Sequence, residues 1–204
     1  MVNAESQPRP PLDFESLRAR LQAALDSRSR RVVEADDRAP AAVLLLFVYH
    51  DDEPYLVFAK KTQAVPHHKG QFSFPGGMVE TFDASRIETA LREAQEEIGL
   101  DPGGVEVLGL LDDVPTATTR FVITPVIGLC RIAPALCADG REIERVLEIP
   151  LRVLLDPACF REELWERGGT VQPIAIFAYG DDVVWGATAR ILRQFLDLVL
   201  AEPA

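Results

Sequence analysis

The chain has 204 residues, enough for one sizeable domain with its own core and too few for two domains of ordinary size. Its net charge of −11 repels nucleic-acid backbones and anionic lipid, and the longest apolar stretch, Ala41–Tyr49, is too short to span a bilayer. We therefore expect neither a nucleic-acid partner nor a membrane partner. The N-terminal residues lack the basic patch and apolar run of a secretory signal, so a cytoplasmic location is expected.

The first forty residues are predicted to form a tail and one helix. Residues 1–12 are polar and rich in proline. Asp13 is expected to cap a helix over Phe14–Leu25, in which three leucines share one stripe. The charged segment Ser27–Pro40 has no apolar pattern and is interpreted as a connector. The main domain is therefore expected to span residues 41–200.

The following segments have the pattern of a β-hairpin. Ala41–Tyr49 is a continuous apolar run rich in Val and Leu, which predicts a buried strand. His50–Pro54 has turn residues, and Tyr55–Lys60 is predicted to be the second strand. Thr62–Gly70 is interpreted as a loop, and the alternating segment Gln71–Phe74 follows it.

Strands and helices continue to alternate in the second half of the chain. A helix is predicted over Ala84–Ile98 and is stopped by Gly99. The remaining predicted elements are strands over Val105–Leu111 and Phe121–Arg131, a short helix over Arg152–Leu155, a hairpin of Pro173–Tyr179 and Val183–Trp185, and a final helix over Ala187–Leu200. This mixture predicts an α/β or α+β sandwich. The apolar face of the final helix could pack in a homodimer interface.

The helix over Ala84–Ile98 carries a cluster of carboxylates. At about 100° per residue, its apolar residues share one arc and Glu93, Glu96 and Glu97 share the neighbouring arc. Like charges at these spacings destabilise a bare helix by about 0.2–0.5 kcal/mol per pair, whereas a hard cation that needs several oxygen ligands would favour them. From these residues alone, a cation site and a solvated acidic face are equally open.

The residues before the helix favour the cation site. The sequence Phe74-Pro75-Gly76-Gly77 precedes it. A glycine pair permits positive φ and a close backbone approach, so that a main-chain carbonyl can point at an ion.

Together these residues resemble the signature of the Nudix hydrolases. That signature has Gly, five residues, Glu, seven residues, and then Arg-Glu-apolar-any-Glu-Glu-any-Gly-apolar. The second half matches in full from Arg92 to Leu100, and Gly77 matches the first glycine. Asp83 stands where Glu is usual, and eight residues separate it from Arg92, so its role in bracing the loop through Arg92 is an open expectation. The resemblance implies a single-domain α/β/α sandwich with a mixed sheet and a diphosphatase that uses Mg²⁺ or Mn²⁺.

A second segment points to the substrate. Lys61–Gly77 (KTQAVPHHKGQFSFPGG) is similar to the extra motif that precedes the Nudix box in the coenzyme A diphosphatase group. That motif usually begins Arg-Ser, where this chain has Lys61-Thr62. The longer spacing with Asp83 is also common in that group. The resemblance, which covers about residues 41–200, implies that a small molecule, coenzyme A or a derivative, is cleaved to 3′,5′-ADP and 4′-phosphopantetheine.

The same resemblance implies metal ligands and a residue that positions them. Glu93 and Glu97 are expected to bind the metal, with Glu96 and the Gly77 carbonyl as further ligands. Arg92 would orient the glutamates.

The resemblance also implies a general base and contacts to the substrate. The base would be a glutamate of the box, such as Glu96, or an acid on a later loop, for which Glu142 and Glu144 are candidates. The substrate phosphates would be met by basic residues of the preceding motif, namely Lys61, His68 and Lys69.

Two alternatives stay open. The first is another Nudix substrate, such as ADP-ribose, NADH, a dinucleoside polyphosphate or a nucleoside triphosphate. The second is a Nudix-like ligand-sensing module without catalysis. The retained Glu93, Glu96 and Glu97, and the lack of length for a DNA-binding domain, disfavour the second alternative.

Overall fold

A run of strands, interrupted by one long helix, occupies the middle of the chain. The structure is a computed structural model that describes residues 12–34, 36–64, 69–116, 119–167 and 169–200. The helices are α1 (Phe14–Asp26), α2 (Arg86–Ile98), α3 (Leu151–Leu154) and α4 (Gly186–Leu200). The strands are β1 (Ala39–His50), β2 (Glu53–Lys61), β3 (Phe72–Ser73), β4 (Gly76–Met78), β5 (Glu106–Leu110), β6 (Val114–Pro115), β7 (Phe121–Leu129), β8 (Ile143–Pro150), β9 (Phe160–Arg167), β10 (Thr170–Tyr179) and β11 (Asp182–Trp185).

Strand β1 lies at the centre of the main sheet. It pairs in parallel with β7 and antiparallel with β2 and β4. Strands β3 and β8 pair with β2, while β5 and β6 pair with β7. The sheet is therefore mixed, as the sequence predicts. A separate three-stranded sheet has the order β11-β10-β9.

The continuous apolar sequence of β1 is explained by burial on both faces of the sheet. Successive side chains in a strand point to opposite faces. Leu44 and Leu46 join the apolar cluster beneath α2, whereas Leu45 and Phe47 join the cluster beneath α1 and α4. The Phe47 ring packs against Phe195 of α4 with the ring centroids 4.9 Å apart. Helices thus cover both faces, which confirms the α/β/α sandwich.

Capping residues determine where helices α1 and α2 begin and where α2 ends. The Asp13 side chain accepts a 2.8 Å hydrogen bond from the Ser16 amide and begins α1, as predicted. Helix α2 begins at Arg86 rather than Ala84, because Ser85 is extended and its hydroxyl caps the Glu88 amide at 3.2 Å. Gly99 ends α2 with a positive φ of 68°.

Strands β8 and β9 are not predicted by the sequence pattern. Glutamate and arginine interrupt the apolar residues of both segments, so neither resembles a buried strand. In the structure β8 pairs with β2, and β9 pairs with β10 in a hairpin whose outer residues are exposed. Leu164 of β9 is 75% exposed, which shows that this hairpin extends beyond the core.

The apolar face of α4 is used within the chain. Ile191, Leu192 and Phe195 are buried in the same cluster as Phe47. These side chains pack against the chain's own strands, and a homodimer through α4 stays a prediction. None of the helices in the described ranges combines the length and the apolar character that crossing a membrane requires.

Candidate active site

The glycine pair of β4 brings the backbone close to both β1 and α2. Gly76 has a φ of 152°, and a Cβ at this position would collide with the backbone of Ala42 and Val43. A Cβ on Gly77 would overlap the carboxylate of Glu93. The missing side chains therefore allow the Glu93 carboxylate to lie directly against the main chain.

Glu97 is the most deeply buried acid of the α2 cluster. Its side chain is 5% exposed, and its Oε2 accepts a 3.1 Å hydrogen bond from the Gly76 amide. The Lys61 ammonium pairs with Oε1. Burial raises the pKa of the Glu97 carboxyl above its ordinary value, and Lys61 opposes part of that rise.

Glu93 lies one turn earlier and is also largely shielded from solvent. Its side chain is 18% exposed, and its Oε1 accepts a 2.9 Å hydrogen bond from Arg92 Nη1. Burial raises the pKa of Glu93, and Arg92 acts against that rise. The charge of Glu93 also adds to the rise in the pKa of Glu97, and the charge of Glu96 adds to the rise in the pKa of Glu93.

Asp83 and Arg92 form the brace that the sequence left uncertain. Arg92 donates from Nε to Asp83 Oδ1 and from Nη2 to Asp83 Oδ2, both at 3.0 Å. Thr89 Oγ1 and the Glu80 amide also donate to Asp83 Oδ2, each at 2.9 Å. These bonds hold the pKa of Asp83 well below its ordinary value. The shorter acid and the longer spacing therefore still give a complete bidentate pair.

Glu96 occupies a different environment from its two neighbours. Its side chain is 60% exposed, and it accepts a 3.3 Å hydrogen bond from Arg92 Nη1. It lies at the rim, although the helical pattern placed it on the same arc as Glu93 and Glu97.

The segment that precedes β8 contributes a residue to the site that no sequence motif indicates. The Asp139 amide donates to the Glu97 carbonyl at 3.0 Å, which docks this segment on the end of α2. The Asp139 Oδ1 accepts from the amides of Arg141, Glu142 and Ile143 at 3.1, 3.0 and 2.8 Å. Burial acts to raise the pKa of Asp139, but these amides outweigh it and the pKa is lowered. The Asp-Gly pair at 139–140 signals a turn, but nothing in the sequence links that turn to α2.

Asp139 thereby places one of the two later acids beside the cluster. The Glu142 carboxylate lies 4.0 Å from the Lys61 Nζ that pairs with Glu97. Glu144 instead pairs with Lys60 at 3.1 Å. The structure therefore separates two residues that the sequence treats as equal candidates.

The basic residues expected at the substrate are only partly brought together. Lys61 is at the carboxylates, with its side chain 16% exposed. Lys69 is exposed in the turn before β3. His68 lies outside the described residues.

The donors around Glu97 fit a hard divalent cation. Glu93 and Glu97 present carboxylate oxygens in a poorly hydrated place beside the Gly77 backbone. In the ranges that the structure covers, no three His, Cys, Asp or Glu side chains converge into a ready-made metal group. Magnesium commonly takes one or two carboxylates and completes its shell with water and substrate phosphates, so a pair of carboxylates is a suitable protein contribution.

Comparisons with known proteins agree with this arrangement. A model of the NUDIX domain family matches residues 38–144. The chain is 36% identical over 185 residues to the uncharacterized Nudix hydrolase NudL of Enterobacter sp. strain 638, covering 90% of this chain and 93% of NudL. NudL of Salmonella paratyphi B is 38% identical over 155 residues, covering 75% and 79% of the two chains. The crystal structure of a MutT/nudix family protein from Enterococcus faecalis has a TM-score of 0.51 at 19% identity, covers 89% of this chain and 69% of that one, and supports the fold.

We predict that Asp83→Asn destabilises the protein in a pH-dependent way. The change removes the charge of the bidentate partner of Arg92, which keeps its contacts to Glu93 and Glu96, at a cost of about 2 kcal/mol in the free energy of unfolding. The folded-state pKa of Asp83 lies below its ordinary value of 3.8, so the stabilisation is complete above that pH and is lost as pH falls below it. Urea unfolding at pH 7, 5 and 3 should show a constant difference from wild type at the first two values and a smaller one at pH 3.

The control for this prediction is Asp181→Asn in the exposed turn between β10 and β11. That change should alter stability by less than about 0.5 kcal/mol at every pH. Equal stability of the two variants at pH 7 would show that the Asp83–Arg92 brace contributes nothing.

Proposed function

Because the chain belongs to the Nudix hydrolase family, we propose that it hydrolyses the diphosphate linkage of coenzyme A or a coenzyme A derivative. The products would be 3′,5′-ADP and 4′-phosphopantetheine. Diphosphate hydrolysis as such follows from the family and from the complete second half of the box, Arg92 to Leu100. The choice of coenzyme A rests on the motif at residues 61–77 and on the longer spacing between Asp83 and Arg92.

The contact between Lys61 and Glu97 is the observation that carries the proposal. Lys61 is the first residue of the coenzyme A-type motif, and Glu97 is the most buried acid of the Nudix helix. The motif and the box adjoin in the sequence, but Lys61 and Glu97 are 36 positions apart, and the fold brings them together in one ion pair. If the motif formed only a surface loop, its first residue would not be expected to contact a buried carboxylate.

The residues around this contact suit distinct roles in binding the metal ion and in positioning its ligands. Glu93 and Glu97 would hold Mg²⁺ or Mn²⁺, with Glu96 and the Gly77 carbonyl as further ligands. The bound cation would neutralise the diphosphate charge and lower the pKa of a water molecule. Arg92, held by Asp83, would keep Glu93 in position.

The remaining roles concern the proton and the substrate. We assign the general base to Glu142, because it is the later acid that lies beside the Glu97 cluster. The Glu142 side chain is 65% exposed, so solvent and substrate can reach it. Lys61, His68 and Lys69 would meet the phosphates of the substrate.

A substrate panel tests the proposed function. The purified chain would be incubated with Mg²⁺ or Mn²⁺ and with coenzyme A, acetyl-coenzyme A, ADP-ribose, NADH and a nucleoside triphosphate. We expect the highest kcat/KM for coenzyme A or its acyl derivative, with 3′,5′-ADP identified by chromatography. Faster turnover of ADP-ribose than of either coenzyme A compound would overturn the substrate assignment while leaving diphosphate hydrolysis in place.

We predict that Glu97→Gln removes the metal-dependent activity and leaves the fold intact. The amide oxygen can still accept from the Gly76 amide, but the charge that would bind the cation is gone. The loss in kcat should be on the order of 10³-fold, which corresponds to about 4 kcal/mol of transition-state stabilisation. Steady-state rates and circular dichroism measure the two effects. The same change at Glu106, which pairs with Arg18, is the control and should not alter the rate.

We further predict that the two later acids behave differently. Glu142→Gln should lower kcat by about 10²–10⁴-fold, the range expected for loss of a general base. Glu144→Gln should leave kcat within about twofold, since Glu144 pairs with Lys60 away from Glu97. Comparable losses in both variants, or in neither, would contradict the assignment of the base to Glu142.

A further inference from the structure

Lys61 occupies an unusual position for a lysine at the end of a strand. It is the last residue of β2, and its side chain is 16% exposed. Its ammonium pairs with one oxygen of Glu97 and lies 4.0 Å from the Glu142 carboxylate. A lysine whose role is only to attract a substrate from solvent would keep its charged end in water. This ammonium instead lies within the cluster of acids.

The acids around Lys61 need a positive charge when nothing else is bound. Glu97 is buried, and its other oxygen accepts a hydrogen bond from the neutral Gly76 amide. A buried carboxylate without a cationic partner is strongly unfavourable. The charge of Lys61 acts on Glu93 as well as on Glu97. One ammonium therefore stabilises both acids that form the core of the candidate metal site.

The ammonium and a divalent cation would compete for the same carboxylate. A cation on Glu97 would lie within contact distance of Lys61 Nζ, and two positive charges at that separation repel each other strongly where water is scarce. Lysine has a flexible four-carbon stem, so its ammonium can move aside without movement of the strand. After this movement the ammonium could still pair with the exposed Glu142 carboxylate, which lies 4.0 Å away.

From these contacts we infer that Lys61 is the built-in counter-ion of the metal site: it neutralises Glu97 in the metal-free protein and is displaced when a divalent cation binds. The inference rests on the proposed function, because it takes Glu97 as a metal ligand. It makes Lys61 a positioning residue that weakens metal binding in return for holding the empty carboxylates in place. The exchange is a movement of charge between partners, with no proton gained or lost.

Metal binding to the substrate-free full-length chain tests this inference. Titration calorimetry with Mn²⁺ alone would compare wild type with Lys61→Met, which keeps the length of the side chain and removes its charge. We expect Mn²⁺ to bind Lys61→Met about tenfold more tightly, a difference of about 1.4 kcal/mol. The metal-free variant should also melt at a lower temperature than wild type and gain more from added Mn²⁺.

Two control variants isolate the charge of Lys61. Lys61→Arg keeps a positive charge and should bind Mn²⁺ as weakly as wild type. Lys60→Met removes the neighbouring lysine, which pairs with Glu144, and should leave Mn²⁺ affinity unchanged. If Lys61→Met binds Mn²⁺ with the same or lower affinity than wild type, the counter-ion role is wrong.

The double variant Lys61→Met/Glu97→Gln separates this inference from the proposed function. If Glu97 is a ligand, Glu97→Gln weakens Mn²⁺ binding, and the effect of Lys61→Met disappears in its presence. If Glu97→Gln binds Mn²⁺ like wild type, the proposed metal site itself is wrong. If Glu97→Gln weakens binding but Lys61→Met does not tighten it, only the counter-ion role fails.

Discussion

The mutual repulsion of acids on one side of α2 is the constraint on which the site depends. Glu93 and Glu97 lie one turn apart near the end of a helix, where their charges are unfavourable, and both are shielded from water. Each is held by a neighbouring cation, Arg92 for Glu93 and Lys61 for Glu97. Arg92 is in turn held by Asp83. Two sets of ion pairs, Asp83–Arg92–Glu93 from the loop before α2 and Lys61–Glu97 from the end of β2, therefore meet where the two acids lie side by side.

The fold supplies the rigid parts that such a chain of charges needs. Strand β1 is buried on both faces and pairs antiparallel with β4 near its start and with β2 near its end. Strand β4 brings the Gly76 amide to Glu97, and β2 ends at Lys61. The hydrogen bond from the Asp139 amide to the Glu97 carbonyl holds the turn before β8 against the end of α2. Lys61 and the acids of α2 thus come from elements that pack in the core, which resists small displacements of these charged groups.

Much of the fold could be predicted from the sequence, and the reasons are local. The apolar run of β1 and the caps of α1 and α2 depend on neighbouring residues, so pattern and propensity identify them. Strands β8 and β9 could not be predicted, because their charged residues interrupt the alternation of apolar and polar side chains that marks a strand. In the site, helical spacing places the three glutamates on one arc but cannot show that Glu97 is buried while Glu96 is exposed. The part played by Asp139 depends on a contact with α2 across some forty residues, which no local pattern records.

The parallel pairing of β1 with β7 has a consequence for how the site is assembled during folding. Residue 39 pairs with residue 121, so the centre of the sheet joins segments that are distant in the chain. Closing such long loops is costly in entropy, and pairings of this kind slow the folding of a domain. Helix α2, made from local contacts, has no such delay, yet Lys61 and Asp139 reach it only after β2 and β8 have paired. The acids of α2 are therefore expected to spend the early part of folding in water, and to lose their hydration only once their partners arrive.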